Sequence, residues 1–498
     1  MPSLQEVMEA LPSTGGADLD TLLVVSGGTL KCISRSDLRG PVVLQEEAFR
    51  TAASFQIFPT PPAPDGTPST TLTDYTTQLE EARDWSIASG GMVLFPAGYI
   101  GFTGPFKLKS HMSFQGAGRE KTIFYNLATD QSDGFTSLLP DEDANVDGAC
   151  FVHLRDLSIS CGWDKTGSGG AWNYPRAEMT QVGLRLHTPI SSTAVRNLNR
   201  FNKNDTYNII QNVGVTNVAG VGMWLDGRGE MMLDSLNFES CAIGGMYCGS
   251  PDNWISNVTS HGHGFWGTWV TAGNLRGGFW KSWFIGLNKY EKPDQGHVFE
   301  GSGNKNVDLV AITAQDCWGA GIRWDFAGSK VTGNLDECGG GRLYQDGYGY
   351  RGARSNEDNC YILIGSADFS VIEMSLANVI ANGFTVRVAH CDGSGHENTD
   401  VLYHLDANAA QISETVTADG GSTNNKRHIQ VRRKDGSIIY GYRTIAELND
   451  ETHGVNLHKQ LGSVAILDDG RPVYSSGGPS ASWVDATGTV VATPTTPV

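Results

Sequence analysis

The sequence has no long apolar run and comparatively few basic residues. No stretch of about 18 consecutive apolar residues is present, which argues against insertion into a membrane. The chain carries 36 Lys and Arg residues against 54 Asp and Glu residues, a formal net charge of -18. Nucleic acids and anionic membrane surfaces bind clustered cations, so this balance excludes nucleic acid as the main partner.

An export signal and a metal-ligand pattern are also missing. The first residues, MPSLQEVMEALPSTGG, have no basic start followed by an apolar segment, so we expect the chain to be made and to mature in a cytoplasm. The nine cysteines are scattered, without the spacing of a zinc site or of a disulfide framework. The sequence therefore predicts mostly buried, reduced thiols, no metal and no cofactor.

Glycine and tryptophan are abundant, with 62 and 12 residues, as is typical of a turn-rich β protein. From about residue 212, segments of one texture recur: NVAGVGMWL, SCAIGGMYC, SHGHGFWGTWV, DCWGAGIRW and ECGGGRLY, which begin at Asn217, Ser240, Ser260, Asp316 and Glu337. Asn288 divides the long third interval. The resulting period of about 20 to 30 residues indicates a solenoid of stacked coils.

Stacked coils place equivalent residues in columns. On this alignment Val218, Cys241, His261, Cys317 and Cys338 share one column next to the turn, and their mostly small, apolar side chains favour an inward position. A propeller would have longer, nearly constant repeats, and a sandwich would have longer alternating strands. A chance recurrence of glycine-rich segments is the remaining alternative.

The segment GGMVLFPAGYIGF, followed by the short strands of FKLKSHMSFQGAGREKTIFY, resembles the opening of pectate lyase-like right-handed parallel β-helices. The ending LGSVAILDDGRPVYSSGGPSASWVDATGT is similar to the ends of bacteriophage tail and tail-fibre proteins. Together they resemble a phage tailspike. The resemblance implies an all-β homotrimer, located in the virion after synthesis in the bacterial cytoplasm, that binds and commonly cleaves a bacterial surface polysaccharide.

The resemblance and the composition together predict four regions. Residues 1–40 form a small hairpin module that attaches to phage tail or baseplate proteins, and residues 41–70 form a proline-rich linker. Residues 71–410 form the β-helix, which starts with a helix capped near Asp74 and ended by Gly90. Residues 411–498 form a C-terminal β domain and tail, in which a DG turn joins two strands.

Acidic residues at equivalent repeat positions are the candidate catalytic groups. Asp316 and Glu337 begin successive repeats, so their backbones should lie one coil apart, and Asp336 and Glu300 lie near them. Hydrolysis of a glycosidic bond uses two carboxyl groups about 5 to 9.5 Å apart, one protonated and one ionised. The alternative is that these residues cap strand ends and face water.

An aromatic belt is the candidate sugar-binding surface. Large rings crowd residues 261–284, and aromatic faces suit sugar rings. The candidate binding residues are Trp266, Trp269, Trp280, Trp283, Trp318, Trp324 and His263. His263 is predicted to be freer than His261, and either could move a proton in a lyase, with Lys281 or Arg276 neutralising a uronate. The tryptophans could instead fill the interior or trimer contacts.

Three functions stay open at this stage. A tailspike that hydrolyses polysaccharide accounts for the repeat, the belt and the ending together. A non-catalytic adhesin of the phage tail would have the same fold, and a polysaccharide lyase or epimerase would use a base rather than two carboxyl groups.

Overall fold

The computed structural model describes most of residues 48–137, 149–163, 172–187, 207–288, 295–336 and 438–495, with strands between residues 21 and 34 and between residues 362 and 432. Two parallel sheets run through successive coils of the chain. The predicted all-β parallel β-helix is therefore confirmed. The segment YQDGYGYRGARSNEDNCY, residues 344–361, lies outside the described residues.

The N-terminal part combines a hairpin, a helix and short strands. β1 (Thr21–Ser26) and β2 (Thr29–Ser34) pair in antiparallel fashion. The strands that follow are β3 (Phe49–Thr51), β4 (Met92–Leu94), β5 (Gly98–Phe102), β7 (Ser113–Gln115) and β8 (Thr122–Asn126). Helix α1 (Thr76–Ser89) begins after Tyr75, and Gly90 ends it in the left-handed conformation, with a φ of 65°. Asp74 accepts the backbone N–H of Thr76, so it supports the helix start without being the cap residue itself.

One strand of each coil belongs to a long-strand sheet and the other to a short-strand sheet. The long strands are β10 (His153–Ser160), β12 (Ile209–Val218), β14 (Met232–Cys241), β16 (Trp254–His263), β18 (Arg276–Ile285), β20 (Asp308–Cys317), β22 (Lys330–Asp336), β24 (Val371–Ala377), β26 (Asp400–Leu405) and β28 (Ile429–Arg432). The short strands are β6 (Phe106–Lys107), β9 (Phe135–Thr136), β11 (Gln181–His187), β13 (Gly220–Asp226), β15 (Gly244–Cys248), β17 (Trp266–Val270), β19 (His297–Phe299), β21 (Ile322–Trp324), β23 (Ile362–Ile364), β25 (Arg387–His390) and β27 (Thr415–Val416).

Three columns of left-handed residues mark the corners of the coils, with φ between 49° and 69°. The first column precedes the long strands: Phe151, Tyr207, Glu230, Asp252, Asn274 and Asn306. The second interrupts them: Asp156, Asn212, Ser235, Asn257, Phe279 and Ala311. The third lies near their ends: Asn217, Ser240, Gly262, Phe284 and Asp316. We call the halves of each long strand before and after the second column the first and second faces, and the short-strand sheet the third face.

The interior is filled from all three faces. Leu233, Leu236 and Phe238 point inward from β14, and Met246 and Cys248 point inward from β15; all five are fully buried. Side chains alternate along a strand, and one left-handed residue between Leu233 and Leu236 resets that alternation. Corner positions therefore decide which residues fill the core.

Two predicted boundaries of the β-helix need correction. β3 pairs in parallel with β4, and Phe55 and Ile57 belong to the main hydrophobic core, so the fold begins within the predicted linker rather than at residue 71. At the other end, β27 and β28 pair in parallel with β25 and β26. The parallel coils therefore extend to Arg432, beyond the predicted limit at residue 410.

A smaller core follows the last coil. β28 pairs in antiparallel fashion with β29 (Ile438–Arg443), and the predicted DG turn between them lies outside the described residues. Helices α2 (Ile445–Asn449) and α3 (Gly454–Leu457) precede β30 (Val464–Leu467), β31 (Pro472–Ser475), β32 (Trp483–Val484) and β33 (Val490–Ala492). Trp483 is fully buried and donates its indole N–H to Asn456 at 2.8 Å. Division of the chain into separate domains remains a prediction.

Among the residues that the structure describes, no helix is long and apolar enough to cross a bilayer.

Candidate functional site

The outer side of the second face carries two columns of polar side chains. One column contains Asn237, Thr259, Lys281, Thr313 and Asn334, and the other contains Thr216, Glu239, His261, Trp283, Gln315 and Asp336. All of these side chains are at least partly exposed. Coils repeat about every 4.8 Å, so the two columns form a continuous strip along the coil axis. We call it the second-face strip.

Many polar groups of the strip are uncommitted. The side chains of Thr259, Thr313, Gln315 and Asn334 make no hydrogen bond to any other residue in the described part of the chain. Hydroxyl and amide groups supply both donors and acceptors. The strip therefore presents ready hydrogen-bonding groups on a flat, rigid sheet.

Trp283 lies at the centre of the strip. The Nζ atom of Lys281 is 4.4 Å from the centroid of the indole ring, a cation–π contact. The imidazole of His261, one coil earlier, lies at a centroid distance of 4.4 Å and an angle of 44° to the indole. On the other side, the Nδ1 atom of His261 is 4.0 Å from an Oε atom of Glu239. Glu239, His261 and Trp283 thus occupy successive coils in one column.

Of the predicted catalytic carboxylates, Asp336 belongs to this strip and Asp316 borders it. Gln315 pairs with Asp336, so Asp316 lies on the coil next to that of Asp336 and one position further along the strand. Asp316 also occupies the third corner, with a φ of 52°. Aspartate and asparagine tolerate that conformation, which explains Asp316 without any catalytic role. Glu337 lies outside the described residues.

The predicted alignment of coils is wrong at two positions. The residues that share the corner column with Asn217, Ser240 and Asp316 are Gly262 and Phe284, not Ser260 and Asn288. Successive coils are 22, 22, 32 and 21 residues long, measured from Glu239 to His261, Trp283, Gln315 and Asp336. Uneven lengths of this kind obscure the register in the sequence.

Two tryptophans of the predicted belt lie in the interior. Trp280 and Trp324 are fully buried, and their indole N–H groups donate to the carbonyl oxygens of Ile255 and Phe326, each at 3.0 Å. Their rings pack on Phe299 inside the coil. A glycan cannot reach them, so their predicted role in substrate binding is wrong.

Trp266, Trp269 and Trp318 are not part of the second-face strip either. Trp266 and Trp318 are buried, with 4% and 9% of their surface exposed, too little for a sugar platform. Trp269 is half-buried on the outer side of the third face and contacts Trp266 edge-on. The structure therefore does not unite the belt into one surface, and of the predicted binding tryptophans only Trp283 lies on the strip.

The predicted exposure of the two histidines is reversed. His263 is fully buried, and its Nδ1 atom accepts the backbone N–H of Cys241 at 3.2 Å. Burial lowers the pKa of His263 to about 3. His261 is the exposed histidine, because the left-handed corner at Gly262 separates the two. His263 therefore cannot contact substrate.

Glu300 lies on the third face, apart from Asp316 and Asp336. It follows β19, and its carboxylate is 3.3 Å from the guanidinium of Arg323, which also donates to Asp325 at 2.8 Å. An arginine between two carboxylates on neighbouring coils is a sufficient structural reason for both acids. Among the described residues, the structure does not bring Glu300 to Asp316 or Asp336.

Sequence reasoning missed the threonine and amide groups of the strip. Their signal is a column that appears only when the coils are aligned with the uneven spacing described above. Within the described ranges, no group of three or more His, Cys, Asp or Glu side chains is arranged to hold a metal ion.

Solved structures with a similar fold include phage tailspikes and enzymes that act on polysaccharides. Tailspike protein 2 of an Escherichia coli bacteriophage is 14% identical, with a TM-score of 0.48, and the match covers 79% of this chain and 46% of that one. An Azotobacter vinelandii mannuronan C-5 epimerase module is 12% identical, with a TM-score of 0.39, over 74% and 97% of the two chains. A Streptomyces thermodiastaticus alpha-1,3-glucanase is 15% identical, with a TM-score of 0.39, over 74% and 68%.

These similarities concern the fold alone. The chain spans about half the length of the full tailspike that it resembles. No family model and no curated protein sequence matches the chain.

Proposed function

We propose that this protein is a phage tailspike that binds a bacterial surface polysaccharide along the second-face strip and depolymerises it during host attachment. The observation that carries the proposal is the strip itself: uncommitted hydroxyl and amide side chains surround one partly exposed indole, Trp283, on a rigid sheet. Sugar hydroxyls need donors and acceptors in fixed positions, and the apolar side of a sugar ring suits an aromatic surface.

Asp316 and Asp336 are the carboxylates best placed for hydrolysis beside this strip. They lie on successive coils about 4.8 Å apart at the backbone, and their one-residue offset along the strand adds to that distance. Such a separation suits two carboxyl groups that flank a glycosidic bond, one as acid and one as nucleophile or base. Gln315, on the coil between Trp283 and Asp336, would orient the sugar that spans them.

A polysaccharide lyase is a second candidate, favoured by the position of His261. Its Nδ1 atom lies 4.0 Å from Glu239, and its ring contacts Trp283, so an imidazole oriented by a carboxylate stands within the strip. A base of this kind could remove the proton next to a uronate carboxyl group. A non-catalytic adhesin would use the same strip without either chemistry.

The tailspike proposal also includes assembly and location. We propose a homotrimer located in the virion, with the hairpin of β1 and β2 as the region that meets phage tail or baseplate proteins. The antiparallel pairing of residues 21–34, ahead of the first coil, supports a separate attachment element.

The test is mass spectrometry of the oligosaccharides that the purified protein releases from surface polysaccharides of candidate host bacteria. Hydrolysis adds one water per cleaved bond, whereas a lyase leaves an unsaturated sugar without added water. We expect hydrolytic products, and we expect Asp316→Asn and Asp336→Asn each to lower kcat at least about 100-fold, the lower range for loss of an acid or base.

Asp308→Asn is the matched control. Asp308 lies on the same strand as Asp316 but is exposed on the first face, so its substitution should leave turnover unchanged. Full activity of both the Asp316 and Asp336 variants would rule out this carboxylate pair. Unsaturated products would instead indicate a lyase in which His261 and Glu239 are the catalytic groups. Binding of the polysaccharide without release of oligosaccharides would indicate a non-catalytic adhesin.

A further inference from the structure

Lys281 is a cation whose nearest neighbours in the register are all uncharged. Thr259 precedes it on the previous coil, and Thr313 follows it on the next. Within the described ranges, the side chain of Lys281 has no carboxylate within ion-pair distance and makes no hydrogen bond; its ammonium group contacts the ring of Trp283.

The lysine is nevertheless held in place. Its stem rises from a rigid parallel strand whose inward neighbours, Trp280 and Ser282, are fully buried. The indole of Trp283 fixes the ammonium group from one side, at 4.4 Å. The carboxylates of the strip stand in or beside the neighbouring column: Glu239 and Asp336 each lie two coils from Lys281, and Asp316 lies on the next coil. A cation without a carboxylate at ion-pair distance is therefore exposed at the centre of the strip.

We infer that Lys281 binds a carboxylate group on the polysaccharide, so that the substrate is an acidic polymer. This inference rests on the proposed function. Trp283 would contact the ring of the acidic sugar, and Lys281 would pair with the carboxylate of that sugar. The hydroxyl groups of Thr259 and Thr313 would hydrogen-bond to the other oxygen atoms of the same sugar. One ammonium group balances one negative charge, which suits a singly charged carboxylate better than a phosphate monoester with two charges.

The overall charge of the protein makes this contact selective. A net charge of -18 repels an anionic polymer at long range, so an acidic chain binds only where a local cation offsets that repulsion. Without the carboxylate, Lys281 would lose its hydration on binding and gain no partner, and that loss disfavours a neutral chain.

The experiment compares native and carboxyl-reduced polysaccharides from a panel of bacterial strains. Carbodiimide activation followed by borohydride converts each uronate to its neutral sugar and leaves the linkages intact. We expect cleavage of at least one native acidic polymer and a loss of at least about 10-fold in kcat/KM on its reduced form, the size of a hydrogen bond to a charged group.

The two levels of the proposal fail differently. If the protein cleaves native and reduced polymers equally well, the inference is wrong and the proposed function stands. If it cleaves and binds no polymer of the panel, both are overturned. Cleavage that survives carboxyl reduction but is lost after removal of phosphate with hydrofluoric acid would identify a phosphate and also overturn the carboxylate assignment.

Variants at Lys281 provide an independent readout. Lys281→Met should raise KM for the native acidic polymer about 10- to 100-fold but should not raise it for the reduced polymer, because a neutral chain no longer desolvates an unpaired ammonium group. Lys281→Arg should retain most of the affinity. Lys330→Met, an exposed lysine on the first face, is the control and should behave as the wild type. If Lys281→Met raises KM equally for both polymers while the thermal unfolding midpoint of the variant equals that of the wild type, the lysine only positions Trp283. The inference is then wrong.

Discussion

At the residue scale, neighbouring side chains of one strand have opposite environments. Trp280 and Trp283 lie three positions apart on β18, yet the first is fully buried and donates to Ile255, while the second stands on the strip beside Lys281. The same contrast separates His261 from His263. Residue type alone therefore does not distinguish a core aromatic from a binding aromatic in this chain.

Two fully buried histidines should make the coil sensitive to acid. Burial lowers the pKa of His263 to about 3 and that of His297 to about 4, below the value of about 6.5 expected in the unfolded chain. His297 is held neutral between Thr268 and the carbonyl of Thr313. Between pH 6.5 and 4 the unfolded chain binds more protons than the folded one, so stability falls as the pH falls.

As the pH falls across this window, we expect each histidine to lower the free energy of unfolding by up to about 1.4 kcal/mol per pH unit. Above pH 7 these histidines should change the free energy of unfolding little. Urea unfolding at pH 7.5, 6.0 and 4.5 measures it. His263→Gln combined with His297→Gln should be less stable at pH 7.5 and should lose less stability on acidification. An unchanged slope in that variant would assign the pH dependence to other groups.

At the element scale, the corner columns determine the path of each coil. Most corner residues are not glycine, and Asn, Asp and Ser recur there. Short polar side chains tolerate the left-handed conformation better than branched ones. Gly262 is the glycine of the third column, with a φ of 69° and open space where a Cβ atom would lie.

Gly262→Ala should therefore lower the free energy of unfolding by about 1 to 2 kcal/mol, the cost of holding a residue with a Cβ atom in the left-handed conformation. Gly262→Asn should lower it by less. Gly245 on the third face is the contrasting site, because a Cβ atom there would lie 1.9 Å from the Oγ atom of Ser260 inside the coil. Gly245→Ala should cost more, since overpacking is added. Equal free energies of unfolding for Gly262→Ala and Gly245→Ala would contradict this account of the corners.

At the scale of the whole molecule, the first face carries an unusual exposed apolar stripe. Ile209, Met232 and Trp254 lie on one column in successive coils, with 39%, 55% and 54% of their surfaces exposed, and Phe151 is 43% exposed nearby. Contiguous exposed apolar surface commonly marks a protein–protein contact. The stripe supports the proposed homotrimer. The β-helix of a second chain has the same spacing between coils, so its apolar side chains can pack against this stripe coil by coil.

Trp254→Ser should then weaken the assembly, since a buried tryptophan is a typical interface anchor. Sedimentation equilibrium over a range of concentrations should show a trimer for the wild type and dissociation to single chains for the variant at low concentration. Phe58→Ser, with 60% exposure outside the parallel coils, is the control and should remain trimeric. If the Trp254→Ser variant keeps the molar mass of the wild type at every concentration, the stripe is not part of the trimer interface.

Much of the fold follows from local sequence. Short apolar runs between glycine turns predicted stacked strands, the opening motif predicted the β-helix, and Gly90 predicted the end of the helix. These features depend on interactions within a few residues. The candidate carboxylate Asp316 and the indole of Trp283 were also identified from sequence, because acidic residues and aromatic rings stand out locally.

Only the tertiary structure determined in which column of the stacked coils Asp316, Trp283 and their neighbours lie. Side chains alternate in and out along a strand, but each left-handed corner resets the alternation, and coil lengths vary from 21 to 32 residues between Glu239 and Asp336. The inward position of His263, the burial of Trp280 and the isolation of Lys281 all depend on that long-range register. The sequence by itself determined that the chain forms stacked coils; the stacking determined which side chains those coils present.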